Sequence, residues 1–120
     1  MEKVNLAQKL ALFQEYWSPK IVGELNDQLV KLVKFEGDFL WHQHKNEDEL
    51  FLVLHGKMIM HIRDQEDVVL NEGEFFIVPR KVEHKPFAEQ ECHVMLFEPK
   101  TTLNTGDKKS DRTVNSLKKI

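Results

Sequence analysis

Two histidines spaced two apart stand in the run Trp41-His42-Gln43-His44-Lys45-Asn46-Glu47-Asp48-Glu49. On an extended strand, side chains at i and i+2 point the same way, so His42 and His44 project together from one face. Paired imidazoles are a poor choice for a core, because each carries a polar nitrogen that needs a partner. They are a good choice for gripping one cation from two directions. Glu49 follows a short acidic turn and opens the next apolar run, in phase with Phe51 and Val53. A hairpin would bring its carboxylate back across from the histidine pair and point it inward, where a buried carboxylate needs a strong partner such as a metal. His84 is a fourth candidate, since it falls just past the 79–83 turn, where a loop re-enters the domain.

The elements that must position these residues are short strands. From about Ile21 to Glu98, apolar runs recur at 29–35, 39–44, 50–55, 57–63, 67–70, 74–78 and 93–98. Turn signals separate them: Glu36-Gly37-Asp38, His55-Gly56-Lys57, Arg63-Asp64-Gln65 and Asn71-Glu72-Gly73. Seven or eight short strands with no helical stretch between them predict an all-β sandwich, jelly roll or small barrel. The run Leu50-Phe51-Leu52-Val53-Leu54 is apolar on both faces, whereas a strand with one wet face alternates. Its surplus face must be covered by the N-terminal helix, by the C-terminal tail or by a second subunit, and a homodimer is the working hypothesis.

The flanks read differently. Residues 1–28 contain a short helix capped by Asn5, with Leu6, Leu10 and Phe13 at helical spacing, and Ser18-Pro19 ends it. Residues 29–98 form the barrel. Residues 99–120 are a basic tail that lacks aromatics and carries a net charge of +4, against −7 for residues 1–98. Two readings of this tail stand side by side: a wrapping segment with a short helix over 111–119, capped by Ser110, or a disordered basic arm.

Composition bounds the function. At 120 residues and 41% apolar, the chain is one ordinary domain with enough apolar surface for a core. A net charge of −3 offers no broad basic surface, so nucleic acid and anionic membrane are poor partners. Cys92 is alone, which excludes an internal disulfide and a Cys-x-x-Cys zinc knuckle. The N-terminus is broken by Lys9, Gln14 and Glu15 and does not read as a signal peptide. A cytoplasmic protein is the expectation.

The residues above also resemble a known family. Gly37, His42-x-His44, Glu49 and Gly56 look like the first cupin motif, and Gly73, Pro79 and His84 resemble the second, across about residues 29–97. The flanking Thr102-Leu103-Asn104-Thr105-Gly106 and Arg112-Thr113 are similar to small cupins labelled mannose-6-phosphate isomerase-like. The chain departs from the pattern in its Gly37–His42 spacing, at Lys81, where glycine is common, and at Ala88, where asparagine is common. The resemblance implies a jelly-roll (double-stranded β-helix) barrel with a metal held in its mouth by His42, His44, Glu49 and His84.

Three imidazoles and a carboxylate suit a divalent transition metal, whether Fe, Mn, Ni, Zn, Co or Cu, and leave positions open for water or substrate. Groups holding the free imidazole N–H are required but not identifiable from sequence, and Gln43 points away. His55, His61 and His93 lack partners at ligand spacing and read as surface or locally satisfied histidines. Met58, Met60, Phe76 and Phe87 read as packing, and Trp41, in antiphase to His42, reads as facing a second subunit or the covering helix. Arg80, Lys81 and Lys85 flank His84, either as a solvated loop or as a greeting for an anionic substrate. Two functions follow: a metalloenzyme of isomerase or dioxygenase type acting on a small molecule, or a non-enzymatic module that binds or senses a small molecule or metal.

Overall fold

The computed structural model describes residues 1–120. Its elements in chain order are α1 (Leu6–Leu10), β1 (Lys20–Leu25), β2 (Gln28–Asp38), β3 (Glu49–His55), β4 (Met58–Ile62), β5 (Val68–Leu70), β6 (Phe75–Val78), β7 (His84–Pro99) and β8 (Lys118–Lys119). The organising strand is β7. One of its edges pairs with β2 along nearly the whole length, from Gln28↔Pro99 to Asp38↔Phe87. Its other edge is shared: β4 takes the first part, at Ile62↔His84 to Ile59↔Phe87, and β3 takes the last, at Val53↔Val94 to Leu50↔Phe97. Serving two partners on one edge folds the sheet over on itself into a jelly-roll barrel. The inward positions Val33, Phe35, Phe51, Val53, Met58, Met60, Val78, Val94 and Leu96 fill it as one core, so Met58 and Met60 are packing residues.

Several expectations change in detail. Residues 39–44 are not a strand; they join the sheet through a single bridge, His42↔His84. The physical reason is competition for their backbone. Phe39 and His42 donate to Pro86 and His84, and the Gln43 carbonyl accepts from Asp107 of the tail. The helix over 111–119 does not form either. The tail instead turns through residues 104–107 and returns as β8, parallel to β1. Side-chain bonds such as Asn104 Nδ2 to the Arg112 carbonyl and Thr105 Oγ1 to the Lys108 carbonyl hold it. The N-terminal helix is present and capped by Asn5 Oδ1, which accepts from the Gln8 amide at 3.0 Å, but it is only five residues long.

The lead-in covers the outer face of β2, where Phe13 is buried and its carbonyl accepts from Lys34 Nζ at 2.8 Å. The outer face of β3 is not covered in the same way. Leu50, Leu52 and Leu54 are half-buried, and their cross-strand neighbours Ile77 and Phe75 are exposed.

Candidate metal centre

All four residues singled out from the sequence converge. His42 and His44 come from the 39–48 connection, Glu49 opens β3 and His84 opens β7. Their ligand atoms lie within 4.8 Å of one another, and all four side chains are buried. Local backbone bonds explain why these segments meet. His42 and His84 exchange amide-to-carbonyl bonds at 3.0 and 2.9 Å, and the Lys81 amide donates to the His44 carbonyl at 2.7 Å. Asp107 adds a clamp from the tail: its amide donates to the Gln43 carbonyl, and its Oδ1 accepts from the Gln43 amide at 3.0 Å. Gln43 therefore serves the site through its backbone.

The groups that orient two imidazoles are visible. His42 Nδ1 lies 2.9 Å from the Leu40 carbonyl, and His84 Nδ1 lies 2.8 Å from the Val82 carbonyl. A carbonyl oxygen only accepts, so each Nδ1 carries the proton and each Nε2 of a neutral ring is left with a bare lone pair. For His42 the neutral state is strongly favoured. Burial, reinforced by the neighbouring His84, lowers its pKa to about 4.

The His84 lone pair meets an acceptor, beside a second ring nitrogen from His44. His84 Nε2 lies 3.3 Å and His44 Nε2 lies 2.8 Å from Glu49 Oε1, yet none of the three atoms has a hydrogen-bond partner. Burial alone would raise the Glu49 pKa, but Glu98, His44 and His84 outweigh it and hold the carboxyl well below its ordinary range. An ionised carboxylate facing a bare imidazole lone pair with no proton between them is unfavourable unless a cation sits among them. The donor set therefore fits a divalent ion, in nitrogen and oxygen ligands that suit borderline transition metals.

Sequence reasoning missed two residues. Lys31 Nζ lies 2.6 Å from Glu98 Oε1 with both side chains buried, and Glu98 in turn lies against Glu49. Burial pushes the Glu98 carboxyl well above the ordinary carboxylate range, with Glu49 adding to the effect. The available signal was a lysine inside the apolar run 29–35, where only a paired charge would be tolerated.

The remaining histidines stand apart, as expected. His61 pairs with Asp67 at 2.8 Å and His93 with Glu91 at 2.7 Å, while His55 lies 3.7 Å from Glu72. Of the two coverings expected for Trp41, the helix is not found; the Arg63 guanidinium sits 4.1 Å from its ring centre and Lys85 Nζ sits 5.6 Å away. Lys85 is also 3.4 Å from Asp38.

The fold and the four-residue cluster define the class, and comparison with known proteins agrees. The Cupin_2 model, described as the cupin domain, matches residues 29–98, and the chain belongs to this family. A cupin-2 domain protein of Shewanella frigidimarina is 44% identical, with a TM-score of 0.79 over 81% of this chain and 94% of that one. The Neisseria meningitidis protein NMB1881 is 36% identical, with a TM-score of 0.76 over 82% of this chain and 99% of that one. The Bacillus subtilis protein YdbB is 36% identical over 64 residues, which is 53% of this chain and 57% of that protein, so the match spans less than two thirds of that relative.

Proposed function

We propose that this cupin holds one divalent transition metal on His42, His44, Glu49 and His84 and acts on a small molecule as a metalloenzyme of isomerase or dioxygenase type. The observation that carries the metal is the meeting of the bare His84 Nε2 and the His44 Nε2 with Glu49 Oε1, all three buried and without hydrogen-bond partners. When bound, such an ion polarises a coordinated oxygen, activates water or, as iron, supports oxygen chemistry. The chain's own part is to hold the imidazoles in one tautomer through Leu40 and Val82 and to keep Glu49 ionised. The second reading, a module that binds a small molecule or metal without turning it over, is supported by the engagement of the nearby polar groups: Lys31 with Glu98, and Lys85 with Asp38 and Trp41.

A homodimer joined through the outer face of β3, β6 and β7 is part of the proposal, supported by the exposed Phe75 and Ile77 beside half-buried Leu50 and Leu52. So is a cytoplasmic location, supported by the unpaired thiol of Cys92. No helix of the chain is long and apolar enough to cross a membrane.

Elemental analysis of tag-free protein beside a His42→Ala/His84→Ala double variant tests the metal. The expected result is near-stoichiometric metal in the wild type and none in the variant. Metal absent from both after reconstitution with each divalent ion would overturn the metalloenzyme and leave the small-molecule module.

A further inference from the structure

A small cavity, partly open to solvent, lies beside the cluster. Trp17, Val33, Phe35, Phe39, Phe51 and Leu96 make most of its wall. The polar lining comes from His42, Glu49, Glu98 and Asn104, with no lysine or arginine. Those groups are largely committed already. His42 Nδ1 donates to Leu40, Glu49 faces His44 and His84, and Glu98 Oε1 accepts from Lys31. Asn104 spends its amide on the Arg112 carbonyl and its carbonyl on the Val114 amide. Glu49 Oε1 and Glu98 Oε2 are without hydrogen-bond partners, and both are acceptors on an otherwise apolar wall. A polyhydroxylated ligand entering here would leave most of its hydroxyls stripped of water and unpaired.

Trp17 supplies an independent observation. Its backbone is left-handed, with φ of 59°, which is a strained conformation for a bulky side chain. The strain is held by many contacts. The amide donates to the Lys34 carbonyl at 2.8 Å, and indole Nε1 donates to the Glu36 carbonyl at 3.2 Å. The ring stacks on Phe35 at 4.4 Å and on Phe39 at 4.8 Å, both nearly parallel. Arg112 reinforces this group from the tail, 5.9 Å from the Trp17 ring and 5.6 Å from Phe39, with Nη1 donating to the Asp38 carbonyl. Strain maintained in this way clusters where a side chain must be presented to a ligand.

We infer that the cavity is the ligand slot of the metal centre, and that its ligand is a flat, apolar molecule of about one ring. Such a ligand would carry an oxygen toward His42 and Glu49; a sugar or sugar phosphate does not suit the walls. The inference deepens the metal reading and rests on it for the role of that oxygen, while the slot itself is testable separately. A ring seated there lies against an aromatic wall, which favours it beyond simple area burial.

Calorimetric titration of the full chain with 4-methylphenol and with D-mannose 6-phosphate tests this, with metal content measured on the same batch. The expected result is at least tenfold tighter binding of 4-methylphenol. Trp17→Gly, which relieves the left-handed backbone while removing the wall, should weaken that binding at least tenfold. If that variant does not fold, Val33→Phe, which fills the slot, should give the same loss. Sugar phosphate bound as tightly as the phenol, or phenol binding unchanged in the variant, overturns the inference. Metal absent with the phenol still in the slot supports the slot and its ligand class and overturns the metal reading; metal present with sugar phosphate preferred does the reverse.

Discussion

Lys31 Nζ lies 2.6 Å from Glu98 Oε1 with both side chains 2% exposed, and Glu98 in turn lies against Glu49, whose Oε1 faces His44 and His84. Removing one member of a buried pair strands the other. Glu98→Ala, which leaves the buried Lys31 ammonium without its acceptor, should destabilise the fold by about 3–5 kcal/mol, while Lys31→Met/Glu98→Leu, which removes both polar groups, should come within about 1 kcal/mol of the wild type. Metal affinity should not recover in the double variant. Loss of a group that orients a ligand weakens binding about 10–100-fold. Urea unfolding and chelator competition read the two effects; recovery of both would show that Glu98 has no part in holding Glu49.

Gly106 sits with φ of 57° against the backbone of Gln43, and an added Cβ would overlap the Gln43 carbonyl and crowd His42 Cδ2. Gly106→Ala should therefore lower stability by more than about 1 kcal/mol and weaken metal binding at the same time. Thermal unfolding with and without added metal measures both; an unchanged melting temperature would remove the tail from the architecture of the site.

Lys81 occupies a left-handed position, with φ of 69°, in the turn whose amide holds the His44 carbonyl. Glycine reaches that conformation without the Cβ penalty, so Lys81→Gly should stabilise the chain by about 1 kcal/mol. Its metal stoichiometry should stay unchanged. A destabilised variant would show that the lysine side chain contributes more than its backbone costs.

The thiol of Cys92 is pushed up to about 12 from 9.0, chiefly by burial and then by Glu72. Below pH 9 both folded and unfolded chains carry the neutral thiol, and the group does not affect stability. Between about pH 9 and 12 the unfolded chain loses the proton while the folded chain keeps it, so stability falls with rising pH. The urea midpoint should drop more steeply across that window in the wild type than in Cys92→Ala, and native protein at pH 8 should resist alkylation. Rapid labelling without unfolding would contradict the burial.

Phe75 and Ile77 are exposed beside Leu52 and Leu50 on neighbouring strands. A wild-type mass of two chains by light scattering is expected, with Phe75→Lys/Ile77→Lys reduced to one chain and still folded. A wild-type mass of one chain, constant over micromolar concentrations, would dismiss the dimer.

The strand content, the turns and the four candidate ligands were legible in the sequence because each rests on a short-range rule. Period-two patterning marks strands, glycine and asparagine mark turns, and polar side chains at inward phase demand a partner. Asn5 and the local satisfaction of His55, His61 and His93 were legible for the same reason. What the sequence could not decide is which distant segments compete for one backbone. Residues 39–44 carry a strand-like pattern, yet β7 and the tail divide their hydrogen bonds and leave a single bridge. Residues 111–119 carry helix signals, yet their side chains and carbonyls are claimed by Asn104 and Thr105, and the end pairs with β1. Lys31, Glu98 and Trp17 gained their roles only when a barrel closed around them, because burial, pairing and stacking between residues far apart in sequence are properties of the folded chain. The sequence determined which groups were available to the site, and the tertiary structure decided which of them met, which were dry and which were pinned.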